Sequence, residues 1–170
     1  MALIKSVKGK MPIIPESCFI AENATIVGDV VLGEKCSVWF NAVIRGDVHS
    51  IIIGNNVNIQ DGAIVHCTYQ KAPVTIGNNV SIAHNAIIHG CIIHDNVLIG
   101  MGAIVMDGAI VESNSIIAAG AVISKDTVVS SGSVWAGVPA KKIKEIDESL
   151  LKGEVDRIAN NYMMYASWYD

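Results

Sequence analysis

The 170-residue sequence is 51% hydrophobic but only 5% aromatic, so its apolar weight lies in Ile, Val and Ala and suits a single domain built from thin repeated layers. A net charge of -4 and a pI near 5.7 leave no basic surface to neutralise phosphates, the one dense cationic cluster being AKKIK at 140–144, and this excludes nucleic acid as a partner. The apolar part of MALIKSVKGK is too short for a signal peptide, and His, Asp, Asn and Gly break the apolar region 86–111, so a soluble, cytoplasmic protein without a membrane partner is expected.

From the N-terminus onward, aliphatic residues recur every six positions at Ile14, Ile20, Ile26, Leu32, Val38 and Ile44, and again at Ile53, Ile59 and Val65. The period resumes at Ile76, Ile82 and Ile88, slips once to five, and runs on through Ile93, Ile99, Val105, Val111, Ile117, Ile123 and Val129. These hexads resemble those of the hexapeptide-repeat proteins. The resemblance implies an all-β solenoid, a left-handed parallel β-helix in which each hexad supplies one short strand to one face of a triangular prism. Eighteen residues would then make a coil, and coils would stack at strand spacing, about 4.8 Å. The nine-residue step from Ile44 to Ile53, with RGDVHS, and the eleven-residue step from Val65 to Ile76, with HCTYQKAPVT, are expected to be loops leaving the prism. The β-helix is expected over about 12–137. Beyond it, Leu151, Val155, Ile158 and Tyr162 lie at helical spacing and predict one amphipathic helix over about 147–168, laid along the prism, with Tyr162 a candidate pocket residue. Cys18, Cys36, Cys67 and Cys91 form no CxxC pair and read as buried fillers.

Hexad counting brings histidines together. Val65 and Ile88 lie three hexads apart once the loop is absorbed, hence one coil apart, so the residues that follow them, His66 and His89, stack on one outward face within reach of a single ion. His84 belongs to the preceding hexad and turns around a corner of the prism. One chain therefore offers two ligands and a third turned aside, which a homotrimer resolves by lending His84 to a neighbour's pair. His49 and His94 have no partner in this register and read as surface residues.

The motifs VIRGD, NIQDGAIVH and SIAHNAIIHG, within a pattern running from IIPESCFIAENATIVGDVVLG to VWAGVPAKKI, resemble those of the γ-class carbonic anhydrases. The resemblance implies a Zn2+ held by His66, His84 and His89, with Fe2+, Co2+ or Ni2+ as substitutes that imidazole ligands also suit. It implies a hydroxide on that ion attacking CO2 to give bicarbonate. Arg45 and Asp47 of the RGD segment and Gln60 and Asp61 of NIQD complete the implied catalytic set, with Arg45 pairing Asp61 across the interface and Gln60 bonding the metal-bound water. Two glutamates of the founding members are absent: Val48 stands in one place, and CTYQKAPVT carries no carboxylate. Proton transfer to buffer is then expected to limit hydration. Two further readings stay open, a metal-dependent hydrolase of acyl-thioesters and a metal-clamped scaffold without activity.

Overall fold

The computed structural model describes residues 1–169. The inward position of every hexad is aliphatic, so each short strand has one side chain to bury and two that point out. The chain meets this demand by winding into a prism with three parallel faces. On one face seven parallel strands stack from Phe19–Ile20 to Ser133–Gly137. The other two faces form one continuous sheet because two long strands, Thr25–Leu32 and Val43–Ile53, bend across the edge between them. The core is a stack of Ile and Val: Ile26, Ile44, Val65, Ile88, Val105 and Ile123 are fully buried along one face. Their register is direct, since Ile44 pairs with Val65, Val65 with Ile88, and Ile88 with Val105. Burying one such side chain is worth about 1.5–3 kcal/mol, and the repetition makes the stack self-consistent.

Three expectations need correction. RGDVHS is not an excursion from the prism but part of the strand Val43–Ile53, whose extra residues form a bulge between the Gly28–Gly46 and Val30–Ile51 pairings. A bulge absorbs added residues while the flanking ladder stays in register. The second insertion is a true loop, closed by an antiparallel bridge between Thr68 and Ala72. The solenoid also starts earlier than position 12, because Leu3–Lys5 pairs in parallel with Thr25–Val27. At the other end, Ala140–Glu145 folds back antiparallel on Ser133–Gly137 and closes the stack.

The tail is not a uniform α-helix. It begins at Glu148–Leu150 under an N-cap in which Asp147 accepts from the Leu150 amide, widens into a π-helical stretch over Leu151–Asp156, and continues as α-helix over Arg157–Ala166. The π stretch buries Val155 against Ile116 and Val134 of the prism. Further on, Tyr162 packs edge-on against Trp39 with ring centroids 5.3 Å apart. No helix among the described residues is long and apolar enough to cross a membrane.

The bulge depends on glycine. Gly28 has φ of +82°, and a Cβ there would lie 2.3 Å from the Gly46 carbonyl oxygen. We expect Gly28→Ala to lose at least about 1–2 kcal/mol for the backbone conformation alone, and more for the overlap. Urea unfolding measures this, and an unchanged midpoint would show that the bulge relaxes freely.

Candidate metal centre

His66 and His89 end the strands Ile64–His66 and Ile87–His89, one position after the buried Val65 and Ile88, so alternation turns both imidazoles outward. The register pairs them directly, with Arg45 next in the same column. His66 Nδ1 and His89 Nε2 face each other at 3.2 Å. Their outer nitrogens are both taken by carboxylates: His66 Nε2 lies 3.1 Å from Asp47 Oδ1, and His89 Nδ1 lies 2.5 Å from Asp107 Oδ1. A neutral imidazole has one N–H, and here the carboxylate claims it. Each inner nitrogen is left with a bare lone pair, and two lone pairs at 3.2 Å repel unless a cation lies between them.

The distance fits such a cation. Two nitrogens each about 2.0–2.1 Å from a tetrahedral zinc stand roughly 3.3–3.4 Å apart. The aspartates occupy the positions that orienting partners would take if the two histidines held a metal ion. Asp47 sits in the bulge and is held on its far side by Arg45 Nη1, which donates at 2.7 Å. Asp107 sits one coil below His89 and accepts from Thr68 Oγ1 at 2.5 Å. Gly90 makes room for it: a Cβ at Gly90 would lie 2.7 Å from Asp107 Oδ1. Burial opposes ionisation of both carboxyl groups, but hydrogen bonds from Arg45 and His66 onto Asp47, and from Thr68 and His89 onto Asp107, hold both below the ordinary value. Burial and the Arg45 cation in turn push His66 below an ordinary imidazole despite the Asp47 hydrogen bond, which favours the neutral, ligating form.

His84 lies in the turn before the Ile87–His89 strand and belongs to a separate cluster. Its Nδ1 is 3.0 Å from Asp61 Oδ2, and its Nε2 is 3.5 Å from the Tyr162 hydroxyl. Burial and then the Asp61 charge push the Tyr162 hydroxyl up to about 12, so it stays a donor. Gln60 lies nearby, only 3% exposed, and donates through Nε2 to Asn58 Oδ1 at 2.9 Å. Among the described residues no three His, Cys, Asp or Glu side chains converge as a complete metal site in one chain. Arg45 and Asp61, expected to pair between subunits, each have an in-chain partner, Asp47 and His84 respectively. Asp107 and Thr68 were not anticipated. Counting one coil of 18 residues on from His89 would have brought Asp107 under suspicion.

Residues 11–46 and 90–125 match the family model "Bacterial transferase hexapeptide (six repeats)". The chain is 44% identical to a carbonic anhydrase of Geobacillus kaustophilus, over 98% of this chain and 91% of that one. It is 37% identical to mitochondrial gamma carbonic anhydrase 2 of Arabidopsis thaliana, over 96% of this chain and 60% of that one. The chain belongs to the γ-class carbonic anhydrase family of hexapeptide-repeat proteins. The same architecture occurs in the crystal structure of a hexapeptide transferase family protein from Anaplasma phagocytophilum, with a TM-score of 0.94, 38% identity, and coverage of 99% of this chain and 98% of that one. Transferase and carbonic anhydrase names thus meet on one fold, and side chains have to decide between them.

In this family member, the depressed Asp47 and Asp107 give stability that is complete above the ordinary value of 3.8 and is lost as pH falls through their lowered values. Asp107→Asn removes one such group. The variant should therefore be less stable near neutral pH but lose less further stability than the parent as pH falls below about 4. Parallel acid limbs in thermal melts would show that Asp107 does not contribute in this way.

Proposed function

We propose that the protein is a metal-dependent carbonic anhydrase hydrating CO2 to bicarbonate, working as a homotrimer whose sites are shared between chains. The observation that carries this reading is the pair of facing lone pairs on His66 and His89, 3.2 Å apart, with both outer nitrogens anchored to aspartate. A transferase base needs one accessible imidazole and has no use for this arrangement. Zinc suits the all-imidazole donor set, and Fe2+, Co2+ or Ni2+ could substitute. Bound there, the ion supplies Lewis acidity that makes water a nucleophile near neutral pH.

The chain's own residues then have definite tasks. Asp47 and Asp107 fix the tautomers so that lone pairs point inward, and Arg45 keeps Asp47 ionised and in place. In the neighbouring subunit, Asp61 would do the same for His84 by taking the proton of Nδ1 and leaving Nε2 to ligate. Gln60, beside His84, would orient the attacking oxygen or the nascent bicarbonate. Sharing is supported by the position of the two clusters at opposite corners of one face. It is also supported by a ladder of Ile64, Ile87, Ile104 and Val122 beside the histidine column, with Ile64 40% exposed. Joining one corner to the other corner of a neighbour is a head-to-tail contact, which closes as a ring. Arg45 is half-exposed and only one of its nitrogens is bonded to Asp47, so further N–H groups would be available to a neighbour's Asp61 in such a trimer. The proton left by hydration has no nearby carboxylate shuttle in the loop 67–75, so buffer receives it.

Elemental analysis of chelator-free protein should find about one transition metal per chain. Alanine at His66, His84 or His89 should abolish it, whereas His49→Ala and His94→Ala should retain it. The sharing itself is tested by mixing: His84→Ala chains co-assembled with His89→Ala chains should regain metal and stopped-flow CO2 hydration. His66→Ala mixed with His89→Ala should regain neither. Equal recovery in both mixtures, or in neither, would contradict the assignment of ligands to chains.

Buffer supplies a second test. With the metal loaded, the hydration rate should rise with the concentration of an imidazole buffer at constant pH and ionic strength. A rate independent of buffer would reveal an internal proton acceptor.

A further inference from the structure

The four cysteines are not equivalent fillers. Cys67 and Cys91 are sealed in the core, and burial pushes their thiols up to about 11 and about 12, so both stay protonated. Cys18 and Cys36 are placed differently. Each stands immediately before one of the paired strands Phe19–Ile20 and Ser37–Val38, which run parallel with Phe19 beside Ser37. The two cysteines are therefore neighbours in successive coils, with the Phe19 amide donating to the Cys36 carbonyl at 2.9 Å. Their side chains follow the same course: Cys18 Sγ lies 3.2 Å from the Gly33 carbonyl oxygen, and Cys36 Sγ lies 3.1 Å from that of Gly54. The sulfurs are stacked in this way on α-carbons at strand spacing, about 4.8 Å, which falls inside the roughly 4.4–6.8 Å that a disulfide spans.

Access and proton affinity separate the two thiols. Cys36 is buried, whereas Cys18 is half-buried and opens on a cavity of about 290 Å3 beneath the last turns of the C-terminal helix, walled by Phe19, Ile20, Met163 and Ala166. At about 30 Å3 for each water-sized group, this space admits roughly nine non-hydrogen atoms, enough for a small organic disulfide. The Cys36 thiol hydrogen-bonds to Cys18 and brings it down to about 7, against the upward push of burial and of the Glu34 charge. The same contact, together with burial, moves Cys36 well above an ordinary thiol. Cys18 is thus the nucleophile of the pair and Cys36 the group that supports it. The corner that holds them, between the strands Thr25–Leu32 and Ser37–Val38, is the one that does not flank the histidine face.

We propose that Cys18 and Cys36 form a redox-active dithiol, oxidised reversibly to an intrachain disulfide by small organic disulfides that enter the cavity beside Cys18. The Cys18 thiolate attacks one sulfur of the oxidant RSSR, whose S–S bond breaks to release RS− and leave a mixed disulfide on Cys18. Cys36 gives its proton to the released thiolate, and its sulfur then attacks Cys18 Sγ and expels the second RS−, which takes up the proton that Cys18 had lost to solvent. Two cysteine thiols and one RSSR thereby become one protein disulfide and two RSH, with two electrons passing from the cysteine sulfurs to the oxidant. The new bond staples the first coil to the second under the end of the helix. His66, His84 and His89 take no part, so the dithiol stands or falls separately from the proposed hydration of CO2.

The test incubates the full-length protein with excess 2-hydroxyethyl disulfide at neutral pH, then unfolds it in iodoacetamide and maps its peptides by mass spectrometry without reduction. The expected product has lost two hydrogens and joins the peptide of Cys18 to that of Cys36, while Cys67 and Cys91 appear alkylated. Dithiothreitol should return the parent mass. In Cys36→Ala the reaction should stop with one hydroxyethylthio group on Cys18. Cys18→Ala should consume the reagent at least about tenfold more slowly than the parent, because only buried, protonated thiols remain. The parent map decides the matter even where a variant fails to fold. A mixed disulfide that persists on Cys18 of the parent would overturn the proposal, since Cys36 would then not reach it. A bond between two chains, or modification spread evenly over the four cysteines, would overturn it as well.

Discussion

Everything in this molecule depends on in-register hydrogen bonding between parallel strands of successive coils. Once Val65 sits beside Ile88, His66 has to sit beside His89, because alternation fixes both side chains to the same outward surface. The histidine pair is thus not assembled from flexible loops. It is a by-product of core packing, and its spacing is set by the strand repeat rather than by the imidazoles. A rigid pair of this kind suffers little ordering entropy when an ion arrives, since the strands have already met that cost.

The orienting aspartates reach the histidines by different devices. Asp47 is delivered by a bulge that depends on two glycines packed against one another, and Asp107 by a turn one coil below, for which Gly90 clears the space. In each case the repeat is broken or thinned where chemistry is needed, the pattern expected when a regular scaffold supports a site. The two corners of the face also differ in character. The His66–His89 corner is tightly bonded, with four polar groups interlocked, whereas the His84 corner is looser and meets the C-terminal helix in the long Tyr162 contact.

How far the sequence discloses this follows from what a hexad records. It records which side chain points inward, so the strand faces, the coil length and the His66–His89 stacking were all legible. It does not record the path of the backbone between inward positions, so RGDVHS looked like a departing loop although it remains in the sheet as a bulge. Asp107 was concealed for a related reason: it lies beyond the strand, where its role is set by reach rather than alternation. The helix spacing of Leu151, Val155, Ile158 and Tyr162 fits α geometry to within the tolerance of a few contacts, and this hid the π stretch. Nothing in a pattern of hydrophobic residues reports the gap between two packed elements, so the cavity beside Cys18 had no sequence signal at all.

A parallel solenoid exposes open strand edges at both ends, and a copy docked on either end could in principle extend it as a fibre. The final hairpin bears on that hazard. Ala140–Glu145 runs opposite to every strand beneath it and bears Lys141, Lys142 and Lys144, so an incoming first coil meets reversed strand polarity and a charged edge. Growth along the solenoid axis is thereby discouraged, and of the sides of the prism one carries the C-terminal helix. Any oligomer this chain forms is consequently biased towards side-by-side packing, the only direction in which the two corners of the histidine face can be brought together.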